Sequence, residues 1–178
     1  MDQDSRVRGG RDVVDVIVAF RRALLERPPE SRPEVAADYL CQLFEGSSAA
    51  LNLMDYGRSR YQTVTNVGRL VAGETVWPPA EFYSFADFPF TTQQLTRGGS
   101  YRSALGDPEC PEEYRELLTA HRRTDCLGAP IRLAGRPLGE FWIARENGKP
   151  FGEGDEDLAV ACGATLARFF RPSWAAVG

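Results

Sequence analysis

Residues 127–170 read LGAPIRLAGRPLGEFWIARENGKPFGEGDEDLAVACGATLARFF, and the architecture can be built outward from this run. An apolar segment, Leu127 to Leu133, leads through Ala134-Gly135-Arg136-Pro137 into a second, Leu138 to Ala144, the pattern of a β-hairpin. A glycine- and acid-rich loop follows. From about Asp155 to Phe170, Leu158, Ala161, Cys162, Thr165, Leu166 and Phe169 recur at helical spacing, and Pro172 stops the helix.

The N-terminal third is also legible by periodicity. From Asp12, Val13, Val16, Ile17, Phe20 and Leu24 mark one helix face, with Val14, Val18 and Leu25 as a second stripe beside it. That face is wider than one sheet requires, so the reading expects a homodimer through the terminal helices, Asp12 to Arg27 with Glu156 to Phe170. Pro28-Pro29 ends the helix. Ser31-Arg32-Pro33-Glu34 has capping-box spacing before a second helix carrying Val35, Tyr39, Leu40, Leu43 and Phe44. Ala49 to Met54 and Arg60 to Leu70 then form a hairpin around Asp55-Tyr56-Gly57.

Val71 to Gly99 is irregular and rich in rings: Trp77, Phe82, Tyr83, Phe85, Phe88 and Phe90, broken by Pro78, Pro79 and Pro89. Long irregular segments inside compact domains are usually functional. Each ring left in water would expose about 150–250 Å² of mostly apolar surface, so the segment must fold over a sheet face or a cavity. Gly99 to Leu105 reads as a short strand, and Pro111 to Arg122 as a helix turning Tyr114, Leu117 and Leu118 inward.

This order resembles the GAF domain family of small sensory modules, through Leu127, Pro130, Ile131, Leu138, Gly139, Phe151 and Asp155. The two helices and hairpin before them extend the likeness over most of the chain. The resemblance implies an α/β (α+β) fold with a central antiparallel sheet of five or six strands. Terminal helices would cover one face and a loop-and-helix lid over a pocket the other. A PAS domain is the nearest competitor; two helices before the first strand and one after the last favour GAF. One domain is expected over 12–172, between a flexible segment 1–11 and a tail 173–178. The implied function is a non-enzymatic sensory or regulatory module binding a small molecule or signalling through partner contacts. The alternative is a protein-interaction module whose pocket is closed and vestigial.

Composition narrows the classes. With 178 residues and 43% apolar content the chain can bury a substantial core. A net charge of −4 and arginines scattered among acids argue against nucleic acid as a partner. No run approaches the ~20 apolar residues of a membrane span, and MDQDSRVRGGRD lacks a signal-peptide core, so a cytoplasmic location is expected. The four cysteines lie far apart without a CxxC pair, so no zinc knot is expected.

Candidate ligand-binding residues are Tyr83, Asp87, Phe88, Phe90, Tyr101, Arg102, Tyr114, His121, Cys126 and Trp142. Asp87-Phe88-Pro89-Phe90 resembles a motif near the pocket lid of some bacterial GAF domains, or is a turn anchoring two rings. Tyr101, Arg102, Tyr114 and Trp142 carry donors that could orient a polar ligand, though Trp142 in mid-strand equally reads as core. His121 is the sole histidine. By resemblance it stands near the position of a haem ligand in some GAF sensor kinases; by its own context it is a polar residue at a helix C-terminus. Cys110 and Cys126 raise a second resemblance, to GAF proteins that reduce free methionine sulfoxide, but their spacing departs from that pattern. The cysteine-histidine features of bilin-binding GAF domains are missing. No catalytic residue and no metal site is expected.

Overall fold

A computed structural model of the chain describes residues 12–68 and 82–170. Helices α1 (Val13–Leu25) and α2 (Arg32–Leu43) come first, joined by a 3₁₀ turn at Pro29–Ser31. Strands β1 (Ser48–Asp55) and β2 (Arg60–Gly68) follow, then β3 (Phe82–Ser84), a second 3₁₀ turn at Phe85–Asp87, and α3 (Pro89–Arg97). Strand β4 (Tyr101–Ala104), helix α4 (Glu112–Ala120), the hairpin β5 (Asp125–Leu133) and β6 (Arg136–Arg145), and helix α5 (Glu153–Leu166) complete the order. The six strands form one sheet in the order β3-β2-β1-β6-β5-β4, with every neighbouring pair antiparallel.

Alternation along the strands separates two cores, one on each sheet face. On one side Phe20 and Leu24 of α1, Ala36 and Leu40 of α2, and Ala159, Cys162 and Leu166 of α5 bury Leu51, Leu127, Ala129, Phe141 and Ile143. The terminal helices therefore share one face. Helix α5 sits so close to β5 that a Cβ on Gly163 would stand 2.2 Å from the carbonyl oxygen of Pro130. That contact turns Ala159, Cys162, Gly163 and Leu166 inward, whereas Leu158, Ala161 and Phe169 are only partly buried. On the other side Ala50, Met54, Tyr61, Tyr101, Cys126 and Trp142 meet Leu95 of α3 and Tyr114 and Leu118 of α4.

The ring-rich segment is more ordered than its sequence reads. Residues 82–97 hold β3, a 3₁₀ turn and α3, with Pro89 in the first helical turn and Gly98 as a left-handed C-cap at φ 82°. The helix escapes a periodicity search because only Thr91 and Leu95 are fully buried and its other faces carry Thr, Gln and Arg. Tyr83, Phe85, Phe88 and Phe90 fold onto the second core. Phe82 does not: it is 47% exposed, beneath the guanidinium of Arg60 at 3.7 Å. Trp77 and the segments 1–11 and 173–178, on which expectations above rest, lie outside the described residues.

The capping box expected at Ser31 is absent. The 3₁₀ turn runs directly into α2, leaving Ser31 in helical geometry with its hydroxyl donating to the Pro28 carbonyl at 3.1 Å. Ser84 and Asp87 form such a box instead: Ala86 N donates to Ser84 Oγ at 3.1 Å and Ser84 N to Asp87 Oδ2 at 3.2 Å.

Candidate functional site

The sheet face opposite the terminal helices carries a polar layer that ordinary core packing does not require. Asn52 of β1, Thr63 of β2 and Glu140 of β6 are all buried there, beside Trp142 and Tyr61. Above them, the 3₁₀ turn at Phe85–Asp87, α3 and α4 form a roof, and between sheet and roof lies a cavity of about 20 Å³, room for about one water. Its floor is Asn52, Tyr61, Glu140 and Trp142. Its roof is Tyr83, Phe88, Thr91, Tyr114 and Leu117.

Glu140 is the chemical centre. Its side chain is buried yet partnered: the Tyr101 hydroxyl donates to Oε2 at 2.7 Å and Asn52 Nδ2 to Oε1 at 3.2 Å. Thr63 Oγ1 donates to Asn52 Oδ1 at 3.0 Å, so the amide must turn its nitrogen toward the carboxyl. Loss of hydration dominates, and it raises the Glu140 pKa to about 7 against the two hydrogen bonds, with the charge of Glu113 adding to the rise. Tyr101 reaches the carboxyl only because its β5 partner is Gly128, where a Cβ would lie 2.0 Å from the ring. Burial also pushes the Tyr61, Tyr101 and Tyr114 hydroxyls and the Cys126 thiol upward, so these groups stay neutral.

The roof is tied together by Glu113 of α4. Its carboxylate accepts from the α3 backbone amides of Phe90 and Thr91 at 2.9 and 3.0 Å and from the Thr91 hydroxyl at 2.8 Å. A carboxylate at a helix N-terminus satisfies otherwise orphaned N–H groups and complements the dipole. With its proton directed to Glu113, Thr91 Oγ1 accepts from the Tyr114 hydroxyl at 2.5 Å. A second tie joins Tyr61 of the sheet to Thr92 of α3 at 2.7 Å.

Of the sequence candidates, Tyr83, Phe88, Tyr114 and Trp142 line the cavity. Tyr101 stands behind it through Glu140, Phe90 packs edge-on against both the Tyr101 and Tyr114 rings at 5.9 and 6.1 Å, and Cys126 is buried in the same cluster. Three are placed elsewhere. Asp87 is an exposed capping residue. Arg102 projects from the other side of β4, where alternation sends it to Glu156 of α5 and the Phe151 carbonyl at 2.9 Å. His121 closes α4 as its C-cap and does not line the cavity. The haem resemblance therefore lacks a fit here, since His121 does not line a cavity that is about one water in size. Burial raises the Cys110 and Cys126 thiols, the wrong direction for a nucleophile. Among the described residues no group of three His, Cys, Asp or Glu could hold a metal, and no helix is long and apolar enough to cross a membrane.

Sequence reasoning missed Asn52, Tyr61, Thr63, Thr91, Glu113 and Glu140. Two signals were available: a glutamate inside LGEFWIA and an asparagine inside ALNLM, both charged or polar interruptions of apolar strands.

No family model matches the chain, and no curated protein matches it. Solved structures do. One is the chromophore-binding domain of a Stigmatella aurantiaca bacteriophytochrome, at 11% identity and TM-score 0.69 over 92% of this chain and 62% of that one. The present chain thus spans less than two thirds of that phytochrome module. The GAF domain of a Coxiella burnetii phosphoenolpyruvate-protein phosphotransferase matches at 18% identity and TM-score 0.67, over 88% of this chain and 90% of that one. Its counterpart from Acinetobacter matches at 11% and 0.66, with the same coverage of each chain. At such identities the likeness is one of architecture, and with the antiparallel sheet, the helices on one face and the roofed cavity on the other, the chain has the fold of a GAF domain.

Proposed function

We propose that the chain is a non-enzymatic sensory or regulatory domain that takes a small molecule into the cavity beneath α3 and α4. The observation that carries this reading is the buried, hydrogen-bonded Glu140 on the cavity floor. A carboxyl taken out of water is unfavourable unless it is neutralised or partnered, and folding alone does not call for one. The opposite face of the same sheet packs with Leu, Ile, Phe and Ala at the corresponding positions. The bacteriophytochrome neighbour is named for binding a chromophore; a cavity of about 20 Å³ points here to a far smaller ligand or to a roof that moves.

The signal would leave through the terminal helices. Val14, Val18 and Leu25 of α1 are 62%, 60% and 55% exposed, and Val160 of α5 is exposed as well. A homodimer or a signalling partner covering this stripe would sense changes across the sheet. Light scattering at high concentration checks the homodimer, which a strictly monomeric species removes.

A thermal-shift screen of metabolites and nucleotides tests the ligand. A specific binder at a thousandfold above Kd adds about 4 kcal/mol of stability. The small cavity also favours a second reading, an interaction module with a closed pocket. That reading gains if the screen finds no ligand of any class.

A further inference from the structure

Five of the residues around the cavity are aromatic, Tyr61, Tyr83, Phe88, Tyr114 and Trp142, and a sixth is the carboxyl of Glu140. The rings of Tyr61 and Tyr83 do not stack on Phe88. Phe88 stands at 85° to both Tyr61 and Tyr83, with centroids 6.4 and 6.2 Å apart. Rings meeting at right angles make walls of a box. None of the described lining residues is Lys, Arg or His. Aromatic faces and a carboxylate attract positive charge, and no positive charge in the described lining compensates an anion.

From this composition we infer that the cavity is a cage for the cationic head of a small alkylammonium ligand, with Glu140 as its counter-ion. The inference rests on the reading of the cavity as a ligand site and supplies the ligand's chemical class. Phosphates, nucleotides and carboxylates are disfavoured, because each would bring negative charge against Glu140 and, beyond it, Glu113. The present volume, room for about one water, matches an ammonium head. Larger heads require Tyr83 and Phe88 to move outward. Tyr83 sits on the three-residue edge strand β3, paired only to β2, and Phe88 lies between a 3₁₀ turn and α3.

Glu140 also sets a pH dependence. It must be ionised to serve as counter-ion, and burial holds its pKa near 7. The titratable groups facing it are Tyr101 of β4, Tyr61 of β2, Tyr114 and Glu113 of α4, and Cys126 of β5. The tyrosines and the thiol remain neutral across the working range, so they do not supply the switch. Cation affinity should be highest above pH 7 and fall about tenfold per pH unit below it, as one proton competes with one cation.

The test is calorimetric titration of the purified full chain at pH 8 with methylammonium, trimethylammonium and tetramethylammonium chlorides. Sodium chloride at equal ionic strength, neutral tert-butanol and sodium acetate are the controls. The expected result is saturable binding of at least one alkylammonium and none of the controls. Glu140→Gln, which keeps the shape and the Asn52 contact, should weaken it at least tenfold and abolish its pH dependence. Phe88→Leu, which keeps an apolar wall without a π-face, should weaken it several-fold with Glu140 intact. Binding of tert-butanol or acetate as strongly as the cations, or an unchanged affinity in Glu140→Gln, overturns the cage while leaving a ligand site in place. If none of these probes binds and the broader metabolite screen is also empty, the cage and the ligand-site reading both fall.

Discussion

The two faces of the sheet obey different rules, although the same strands build both. Phe141 and Trp142 are adjacent in β6 and point to opposite sides. Around Phe141, Leu, Ile, Ala and Phe side chains close on α1, α2 and α5. Arg145, at that layer's edge, is absorbed by the carbonyls of Phe44, Lys149 and Pro150. Around Trp142 the layer holds tyrosines, a thiol and the chain of hydrogen bonds from Thr63 through Asn52 and Glu140 to Tyr101. One face is built for stability. The other carries a group that opposes folding at neutral pH, and such groups concentrate at functional sites.

Substitutions on each face should separate these roles. Phe141→Ala, in the helix-side core, is expected to destabilise the protein by about 3–5 kcal/mol in urea titration, the usual effect of emptying a large aromatic site. A much smaller loss would mean that the helix face is not the main core.

Glu140→Gln should act with the opposite sign. The folded carboxyl titrates near 7 and the unfolded one near 4.5. Between those values the native state holds a proton that the unfolded state has released, so stability falls as pH rises through this window and is level above it. The shift corresponds to about 3 kcal/mol. The glutamine variant therefore gains up to about that amount over wild type at pH 8 and little at pH 4. Urea titrations of both proteins at the two pH values check this; parallel curves would show the carboxyl to be solvated.

Glu113→Gln tests the roof. Weakening the carboxylate that holds the first amides of α3 should lower stability by about 1 kcal/mol. It should also speed hydrogen exchange at Phe90 and Thr91 while leaving α5 unchanged. Smallest of all is Arg102→Ala. Its partly exposed pairing with Glu156 places it away from the cavity, so a loss within about 1 kcal/mol is expected, with ligand binding unaffected.

How much of this was legible in the residues follows from what each region packs against. Periodicity located α1, α2, the terminal hairpin and α5, because one side of each meets a continuous apolar core. It failed at α3, where threonines and glutamines cover a helix held by Glu113 from a distant segment. It also misread Ser31, whose preceding prolines continue the chain in a helical turn. The cavity's ring walls were readable as an excess of aromatics around Phe88. Its polar floor was harder to see, since Asn52, Thr63 and Glu140 come from three strands and meet only through sheet pairing. Arg102 shows the converse limit, because a donor beside Tyr101 in sequence is on the opposite face in space.

The most direct measurement is the titration of the Glu140 side-chain carboxyl, followed by its carbon-13 chemical shift in the free protein. A buried cavity floor holding a partnered carboxyl predicts a midpoint near 7. A midpoint at the ordinary value of about 4.5 would show a hydrated, unperturbed group, and the contrast between the two faces would lose its physical basis.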